Sequence, residues 1–161
     1  MTMIYNLEKE VYEALKKSSL TLVCAESCTA GMIAARLGTI SGISEVLWGS
    51  FVSYQNAAKK YMLGIHQEEI DQYGAVSREI VEAMAMGALS NSSAGIALAI
   101  TGIAGPHSDQ TGTPVGTLWV CVAKRDASPS SVMFRVMGNR QRIRKTGTRK
   151  ALNFLLQSIG S

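Results

Sequence analysis

Residues 24–31, Cys-Ala-Glu-Ser-Cys-Thr-Ala-Gly, carry the chain from a buried strand directly into a helix. Residues 20–25 form a short apolar run of the kind found in strands, and apolar side chains recur at helical spacing over 28–37. A strand that turns into a helix is a repeating unit of layered α/β domains. Open α/β sheets bind ligands at such junctions. The segment therefore predicts both a fold class and the place of a site.

Helical and strand patterns alternate along the rest of the chain. Helices are predicted at 6–17, after Asn56 as N-cap, at 67–73, after Ser77 as N-cap and at 140–158. Further strands are predicted at 48–54, 96–100, 115–123 and 132–136. Residues 126–129 predict a hairpin, so part of the sheet should be antiparallel. We therefore predict a single α/β domain over residues 1–161, a layered α/β/α sandwich with a mixed sheet of about five strands.

The composition fits one folded domain and excludes several other classes of protein. Hydrophobic residues make up 47% of the 161 positions and charged residues 17%, which excludes a disordered chain. Three cysteines are too few for a disulfide framework, and two histidines offer little for a metal centre. No secretory signal is evident, and no apolar run approaches the roughly 18 residues of a membrane helix. We therefore expect a cytoplasmic protein with no membrane partner.

Ser27 has two interpretations at the junction between strand and helix. Its hydroxyl could cap the helix by accepting a hydrogen bond from a backbone N–H two or three residues later. Alternatively, Ser27 could be a nucleophile whose oxyanion is stabilised by the unpaired N–H groups at the helix start. Cys28 is a rival nucleophile, because a helix N-terminus lowers the pKa of a thiol, but it could equally be an inert core residue. Position alone favours the cap.

A nucleophilic serine needs a base, and lysine is the remaining candidate. His66 follows a helix end and His107 lies in a polar loop, so neither is in a convincing catalytic setting. Lys59 and Lys60 lie about 100° apart around one helix, so at most one of them can face the sheet edge. A lysine base must lose its proton near neutral pH, which requires its pKa to fall by about 3 units. Without burial, both are ordinary surface lysines.

Two further segments could contact a ligand. Residues 101–106, Thr-Gly-Ile-Ala-Gly-Pro, form a small-residue turn whose backbone could cradle a phosphate or a carboxamide. Arg140 could clamp a phosphate bidentately, or Asn139 simply caps the last helix and Arg140 is solvated. Six basic residues occur within eleven positions: Arg140, Arg142, Arg144, Lys145, Arg149 and Lys150. Such a cluster can attract phosphate or nucleic acid, but it is more often the solvated face of a helix.

Together these motifs resemble one family, the C-terminal domain of the competence/damage-inducible CinA proteins, which also occurs as a free-standing nicotinamide-nucleotide amidase. The matching blocks keep the order of the family over roughly residues 5–158; they are 25–31, 54–59 with 63–64, 74–77, 101–106, 114–117 and 138–140. Ala30 departs from the pattern, because it replaces the first of two glycines after the threonine, and its methyl group should narrow access to the substrate. Residues 107–110, His-Ser-Asp-Gln, stand where a Gly-rich turn is common.

The resemblance implies hydrolysis of nicotinamide mononucleotide to nicotinate mononucleotide and ammonia, with no metal or other cofactor. Ser27 falls on the serine of the family and Lys59 on its lysine, which implies a nucleophile and its base. We expect Arg140 to bind the substrate phosphate. The other expected substrate-binding residues are Cys28, Thr29, Tyr54, Asn56, Thr101, Gly102 and Gly105.

Other functions stay open. The departures from the family pattern allow an amidase for another carboxamide, or a relative that has lost its activity. The basic closing helix is compatible with a non-catalytic module that binds nucleotides or nucleic acid in a competence- or damage-related role, although we do not expect nucleic acid as a partner of the amidase. The many alanines and methionines predict exposed apolar surface, and hence a homo-oligomer.

Overall fold

The computed structural model describes residues 6–160 of the chain. The helices within this range are α1 Leu7–Lys17, α2 Met32–Leu37, α3 Asn56–Leu63, α4 Gln67–Tyr73, α5 Arg78–Ser90 and α6 Arg140–Ile159. The strands are β1 Leu22–Glu26, β2 Leu47–Val52, β3 Ile96–Gly102, β4 Thr117–Lys124 and β5 Ser130–Arg135. A short 3₁₀ helix at Ile43–Glu45 was not predicted. The first five residues, on which the expected absence of a signal sequence partly depends, lie outside the described residues.

The strands form one mixed sheet in the order β2-β1-β3-β4-β5. β1 pairs in parallel with both β2 and β3, whereas β4 is antiparallel to both β3 and β5. This arrangement confirms the predicted mixed sheet and the hairpin at 126–129. Because β1, β2 and β3 run in the same direction, the segments that follow them meet at one edge of the sheet. The candidate site lies at that edge.

Helices cover both faces of the sheet, because successive apolar side chains of each central strand point to opposite sides. Leu22 and Cys24 of β1 belong to a core shared with α1, α2 and α6. Val23 and Ala25 of the same strand belong to a second core, shared with α3, α4 and α5. The result is the predicted order of layers, helices on sheet on helices. The strand before Ser27 is therefore buried on both sides.

The boundary of β4 differs from the prediction because a glycine turn precedes it. The predicted strand begins at Val115, whereas the observed strand begins at Thr117. Gly116 has a φ of +89°, and its N–H donates to the carbonyl oxygen of Ile103 at 2.8 Å. A positive φ suits glycine and interrupts an extended strand.

Of the N-caps predicted for α3 and α5, the structure has the one for α5. Ser77 caps α5, because its hydroxyl oxygen accepts from the N–H of Ile80 at 3.3 Å. Asn56, in contrast, is the first residue of α3 and not its N-cap. Gln55 takes the N-cap position and forms no side-chain cap hydrogen bond there.

Candidate active site

Ser27 lies in the turn that joins β1 to α2. Its N–H donates to the carbonyl oxygen of Ile100 at 3.1 Å, which holds the residue at the end of β3. Its own carbonyl oxygen accepts from the N–H of Ala30 at 3.0 Å, so the turn is tight. Ser27 is 8% exposed and lines a cleft of about 260 Å³. The hydroxyl is therefore sheltered but reachable from the cleft.

The helix after this turn begins later than predicted. α2 starts at Met32, and Gly31 is its N-cap. The Glu26 carboxylate accepts from the N–H of Ile33 at 2.9 Å and from the N–H of Ala34 at 3.2 Å. Because this carboxylate occupies the N–H groups at the observed start of α2, an oxyanion donor from the predicted helix 28–37 would have to come from the turn before Met32. The interpretation of Ser27 as the N-cap is wrong, because Gly31 takes that position.

Glu26 is fully buried, and each of its carboxylate oxygens accepts two hydrogen bonds. Besides the two N–H groups, the Thr29 hydroxyl donates to Oε1 at 2.7 Å and the Ser50 hydroxyl donates to Oε2 at 2.9 Å. Thr29 is completely buried by this contact and does not line the cleft. The structure thus does not bring this predicted site residue to the ligand side. The signal for Glu26 in the sequence is an acidic side chain shortly before a helix start.

Lys59 reaches Ser27 from α3, on the other side of the sheet from α2. Its Nζ lies 3.2 Å from the Oγ of Ser27, 3.0 Å from the carbonyl oxygen of Ser53 and 3.2 Å from that of Tyr54. Only 1% of its surface is exposed, although the side chain ends in an amine. The neighbouring Lys60 is exposed. Of the two candidate lysines, the structure brings Lys59 to the serine.

The surroundings of this amine favour its neutral form and orient it. Burial lowers the pKa of Lys59 to about 8, while the nearby Cys28 works in the opposite direction. A neutral amine has two N–H donors and one lone pair. When the carbonyl oxygens of Ser53 and Tyr54 accept its two N–H bonds, the lone pair remains for the Ser27 proton. The arrangement therefore suits a base.

Cys28 lines the cleft beside Ser27, but its thiol is not activated. Burial raises the pKa of this thiol to about 12, and the opposing effects of its own N–H, Arg144 and Lys59 are smaller. A thiol with such a pKa stays protonated at neutral pH and is a poor nucleophile. The rival interpretation of Cys28 as the nucleophile is therefore not supported.

Arg140 begins α6 and joins two walls of the cleft. Its guanidinium donates to the carbonyl oxygen of Gly105 at 2.8 Å and to the hydroxyl oxygen of Tyr54 at 2.6 Å. A guanidinium has five N–H donors, so others remain for an anion. Asn139 does cap the helix, since its side-chain oxygen accepts from the N–H of Arg142 at 2.9 Å. The cap and a cleft-facing Arg140 thus occur together.

The cleft collects every predicted site residue except Thr29. These residues are Ser27, Cys28, Tyr54, Asn56, Lys59, Thr101, Gly102, Gly105 and Arg140. The lining also includes Ile103 and Ala104 of the predicted turn 101–106, and it adds residues to which sequence reasoning gave no role, namely Ala75, Val76, His107, Ser108 and Asp109. The sequence does contain a signal for Ala75 and Val76, because residues 74–77 form one of the blocks that resemble the CinA family. The sequence gives His107 no catalytic setting because it lies in a polar loop, and in the structure that loop borders the cleft.

One member of the basic cluster faces the interior of the fold. Arg144 donates from Nε to the carbonyl oxygen of Cys28 at 2.9 Å and from a terminal nitrogen to that of Thr29 at 3.1 Å. The sequence signal for this position is the spacing of four residues from Arg140, because residues so spaced share one face of a helix and Arg140 faces the cleft. The exposed members of the cluster are Arg140, at the cleft, and Arg142, Lys145 and Arg149.

Comparison with known proteins places the chain in a family. The profile described as the CinA C-terminal domain matches residues 4–159. The chain belongs to the CinA C-terminal domain family.

Relatives of two kinds share this domain. A CinA-like protein of Solibacter usitatus is 43% identical over 155 residues, which are 96% of this chain but 37% of that protein. The nicotinamide-nucleotide amidohydrolase PncC of Enterobacter agglomerans is 38% identical over 141 residues, or 88% of this chain and 86% of that protein. The chain thus spans little more than a third of the CinA-like relative and most of the PncC relative.

Solved structures of the CinA superfamily have the same fold. The crystal structure of a CinA superfamily protein from Klebsiella pneumoniae 700603 matches with a TM-score of 0.92 at 30% identity, over 96% of both chains. The competence/damage inducible protein CihA from Agrobacterium tumefaciens matches with a TM-score of 0.88 at 34% identity, over 100% of this chain and 99% of that one. These matches confirm the predicted α/β class.

Ala30, which departs from the CinA pattern, lies away from the cleft. Its side chain is exposed and is absent from the cleft lining, so the expectation that its methyl group narrows access is wrong. Its φ is +49°, a left-handed conformation that glycine adopts at lower cost. The departure therefore concerns backbone strain in the turn and not the space for a ligand.

The described part of this CinA domain lacks two kinds of feature. Among residues 6–160, no three His, Cys, Asp or Glu side chains are grouped so that they could hold a metal ion. No helix in that range is both long enough and apolar enough to span a bilayer.

Proposed function

We propose that this chain is an amidohydrolase that converts nicotinamide mononucleotide to nicotinate mononucleotide and ammonia, with Ser27 as nucleophile and Lys59 as base. The observation that carries the proposal is the buried Lys59 amine, 3.2 Å from the Oγ of Ser27. An amine whose pKa is lowered to about 8 is well suited to act as a base near neutral pH. Membership of the CinA family and similarity to a PncC amidohydrolase support the choice of substrate.

The first half of the reaction forms an ester at Ser27. Lys59 takes the hydroxyl proton while Oγ attacks the carboxamide carbon, and the electron pair of the C=O bond moves to its oxygen. When that bond re-forms, the C–N bond breaks, and the leaving nitrogen takes the proton from Lys59. Ammonia departs and leaves the acyl group on Oγ.

The second half releases the acid and restores the site. Lys59, neutral again, removes a proton from a water molecule that attacks the ester carbon. The bond from carbon to Oγ then breaks, and Ser27 recovers its proton from Lys59. These steps use no cofactor, and the chain ends as it began.

The proposed substrate-binding roles follow the walls of the cleft. Arg140 is our candidate for the phosphate, because it combines positive charge with N–H donors that the protein does not use. Tyr54 and Asn56 would line one side of the cleft. Cys28, Thr101, Gly102 and Gly105 would line the other parts.

Ammonia release from nicotinamide mononucleotide tests the proposal. We expect Ser27→Ala and Lys59→Met each to reduce turnover at least about 1,000-fold, because neither member of such a pair works alone. Lys60→Met is the matched control, since it removes an exposed amine from the same helix, and it should retain activity. A folded wild-type protein that releases no ammonia would contradict the proposed substrate.

An amidase for a different carboxamide is favoured by one observation. His107, Ser108 and Asp109 line the cleft, and they come from the loop that departs from the CinA pattern. A panel of carboxamides, with and without phosphate, should be tested with the wild type and with Ser27→Ala. Faster Ser27-dependent turnover of another amide would replace nicotinamide mononucleotide as the substrate.

A nucleic-acid-binding module is favoured by the exposed charges of α6. Arg142, Lys145 and Arg149 are the residues to test, because Arg144 is engaged with the turn after Ser27. Binding of DNA that weakens with added salt, and further weakens when these three residues are replaced by methionine, would support the module. Absence of such binding beside measurable ammonia release would exclude it in favour of the amidase.

Three further expectations stay predictions. They are the homo-oligomer, the cytoplasmic location and the single domain over residues 1–161. Light scattering, cell fractionation and limited proteolysis would test them in turn.

A further inference from the structure

We propose that Arg144 is a positioning residue, which fixes the turn after Ser27 so that the N–H of Cys28 binds the oxyanion. The inference rests on the proposed function and supplies a donor for the oxyanion. The N–H groups at the start of α2, which are the obvious alternative, are occupied by Glu26. Stabilisation of the oxyanion must therefore come from another part of the site.

Arg144 donates hydrogen bonds to two consecutive peptide groups of this turn. Its guanidinium donates to the carbonyl oxygens of Cys28 and Thr29, at 2.9 and 3.1 Å. Charge-assisted bonds from a planar guanidinium are strong and directional. Because a peptide group is planar, a bond to its oxygen restricts the orientation of the whole group. A residue more than a hundred positions away in the sequence thus sets the shape of the segment that carries the nucleophile.

The N–H of Cys28 contacts the thiol of its own residue and is otherwise available for a ligand. It belongs to the same peptide group as the carbonyl oxygen of Ser27, which accepts from the N–H of Ala30 at 3.0 Å. Within residues 6–160 this N–H forms no hydrogen bond to another residue, whereas buried backbone N–H groups are nearly always paired. Cys28 is 4% exposed and lines the cleft directly after Ser27. A carbonyl oxygen on a carbon attached to Oγ would lie close to this donor.

The expected signature is a loss of turnover without a loss of substrate binding. The oxyanion exists only after Ser27 has attacked, so a misplaced Cys28 N–H weakens the transition state and not the bound carboxamide. The positive charge of Arg144, one peptide group away, acts in the same direction. The cleft contacts of Arg140 do not depend on Arg144. We therefore expect kcat to fall while KM stays unchanged.

Arg144→Met tests the inference, because methionine keeps much of the apolar stem and removes both hydrogen bonds. We expect kcat to fall about 10- to 100-fold with an unchanged KM. Arg144→Lys should recover part of the loss, because an ammonium can hold a carbonyl oxygen but not two in a fork. Arg149→Met is the matched control on the exposed side of α6 and should behave as wild type. Thermal unfolding of every variant checks that the fold is intact.

A second readout separates this inference from the choice of substrate. A fluorophosphonate labels an activated serine whether or not the carboxamide is a substrate, and its attack also places negative charge on an oxygen. The inference predicts that Arg144→Met slows labelling of Ser27. Equal labelling rates in wild type and Arg144→Met, or an unchanged kcat, would overturn it. Slower labelling in the variant, together with no ammonia from the wild type, would contradict only the proposed substrate.

Discussion

The protonation of one buried amine controls what Ser27 can do. Lys59 donates to two carbonyl oxygens, and its burial lowers its pKa to about 8. The same group in solution would carry its proton throughout the physiological pH range. Two measurable properties follow, one in the rate and one in the stability of the protein.

The rate should rise with pH. Lys59 acts as a base only without its proton, so we expect kcat/KM for ammonia release to increase from pH 6 and to level off above a midpoint near 8. At pH 7 about one tenth of the molecules would be in the active form. Lys60→Met should show the same midpoint. A rate that stays constant between pH 7 and pH 9 would exclude Lys59 as the base.

The strained turn offers a substitution that should stabilise the protein. Ala30 has a φ of +49° and an exposed side chain, so Ala30→Gly relieves strain without opening a cavity. We expect the free energy of unfolding to rise by about 0.5–1 kcal/mol in urea denaturation, after allowance for the greater freedom of glycine in the unfolded chain. Ala35→Gly, at an exposed position inside α2, should instead lower it by about 1 kcal/mol. A loss of stability in Ala30→Gly would contradict the argument.

At the scale of elements, Glu26 connects the end of β1 to the start of α2. Its carboxylate accepts from the N–H groups of Ile33 and Ala34 and from two hydroxyl groups. The side chain thus replaces the usual N-cap serine or threonine. It also leaves the preceding turn, with Ser27, outside the helix.

Glu26→Gln tests this connection. The amide replaces an acceptor oxygen by a donor NH₂ that faces other donors, so we expect a loss of about 1–3 kcal/mol in the free energy of unfolding. Chemical denaturation in urea measures it. Glu45→Gln is a suitable control, because Glu45 forms an exposed ion pair with Lys16 and its loss should matter much less. Equal losses in the free energy of unfolding for the two substitutions would mean that the buried cap stabilises the fold no more than an exposed ion pair does.

Most elements could be predicted because their signals are local. The apolar run before Ser27 and the helical spacing around Lys59 need no knowledge of distant residues. The start of α2 was misplaced for the opposite reason. Its N–H groups are bonded to a side chain in the preceding strand, and the turn between them is held by Arg144 from the last helix. Neither a side chain that caps the next helix nor a contact from the last helix leaves a periodic pattern.

Most residues of the candidate site could be predicted from the sequence, but the burial of Lys59 and the position of His107 could not. Resemblance to a family pointed to Ser27 and Lys59, whereas composition and spacing alone favoured a cap and a surface lysine. The burial of Lys59 depends on the carbonyl oxygens of Ser53 and Tyr54 and on the packing of α3. The place of His107 depends on the path of a loop. Neither property can be derived from the amino-acid sequence alone.

For the whole molecule, Lys59 makes stability depend on pH. Its pKa is about 8 in the folded chain and 10.5 as the ordinary value, so between these pH values the unfolded chain binds more protons. This contribution to the free energy of unfolding therefore rises with pH, by about 1 kcal/mol from pH 7 to pH 9. The cysteines act in the opposite sense, because burial raises the pKa of Cys24, Cys28 and Cys121.

A comparison with Lys59→Met isolates the effect, since both proteins contain the same cysteines. The stability of the wild type relative to this variant should increase by about 1 kcal/mol between pH 7 and pH 9. Urea denaturation at several pH values measures the difference. A difference that does not change with pH would mean that Lys59 keeps its ordinary pKa in the folded chain.

The contact between Lys59 and Ser27 joins the two separate cores of the protein. α3 packs in one of them and α6, with Arg144, packs in the other, on opposite faces of the sheet. In a chain in which either face is unfolded, the Ser27 hydroxyl therefore lacks its base and the Lys59 amine keeps its ordinary pKa. The proposed activity therefore requires both cores to be folded, because Lys59 is held from one of them and the turn after Ser27 from the other.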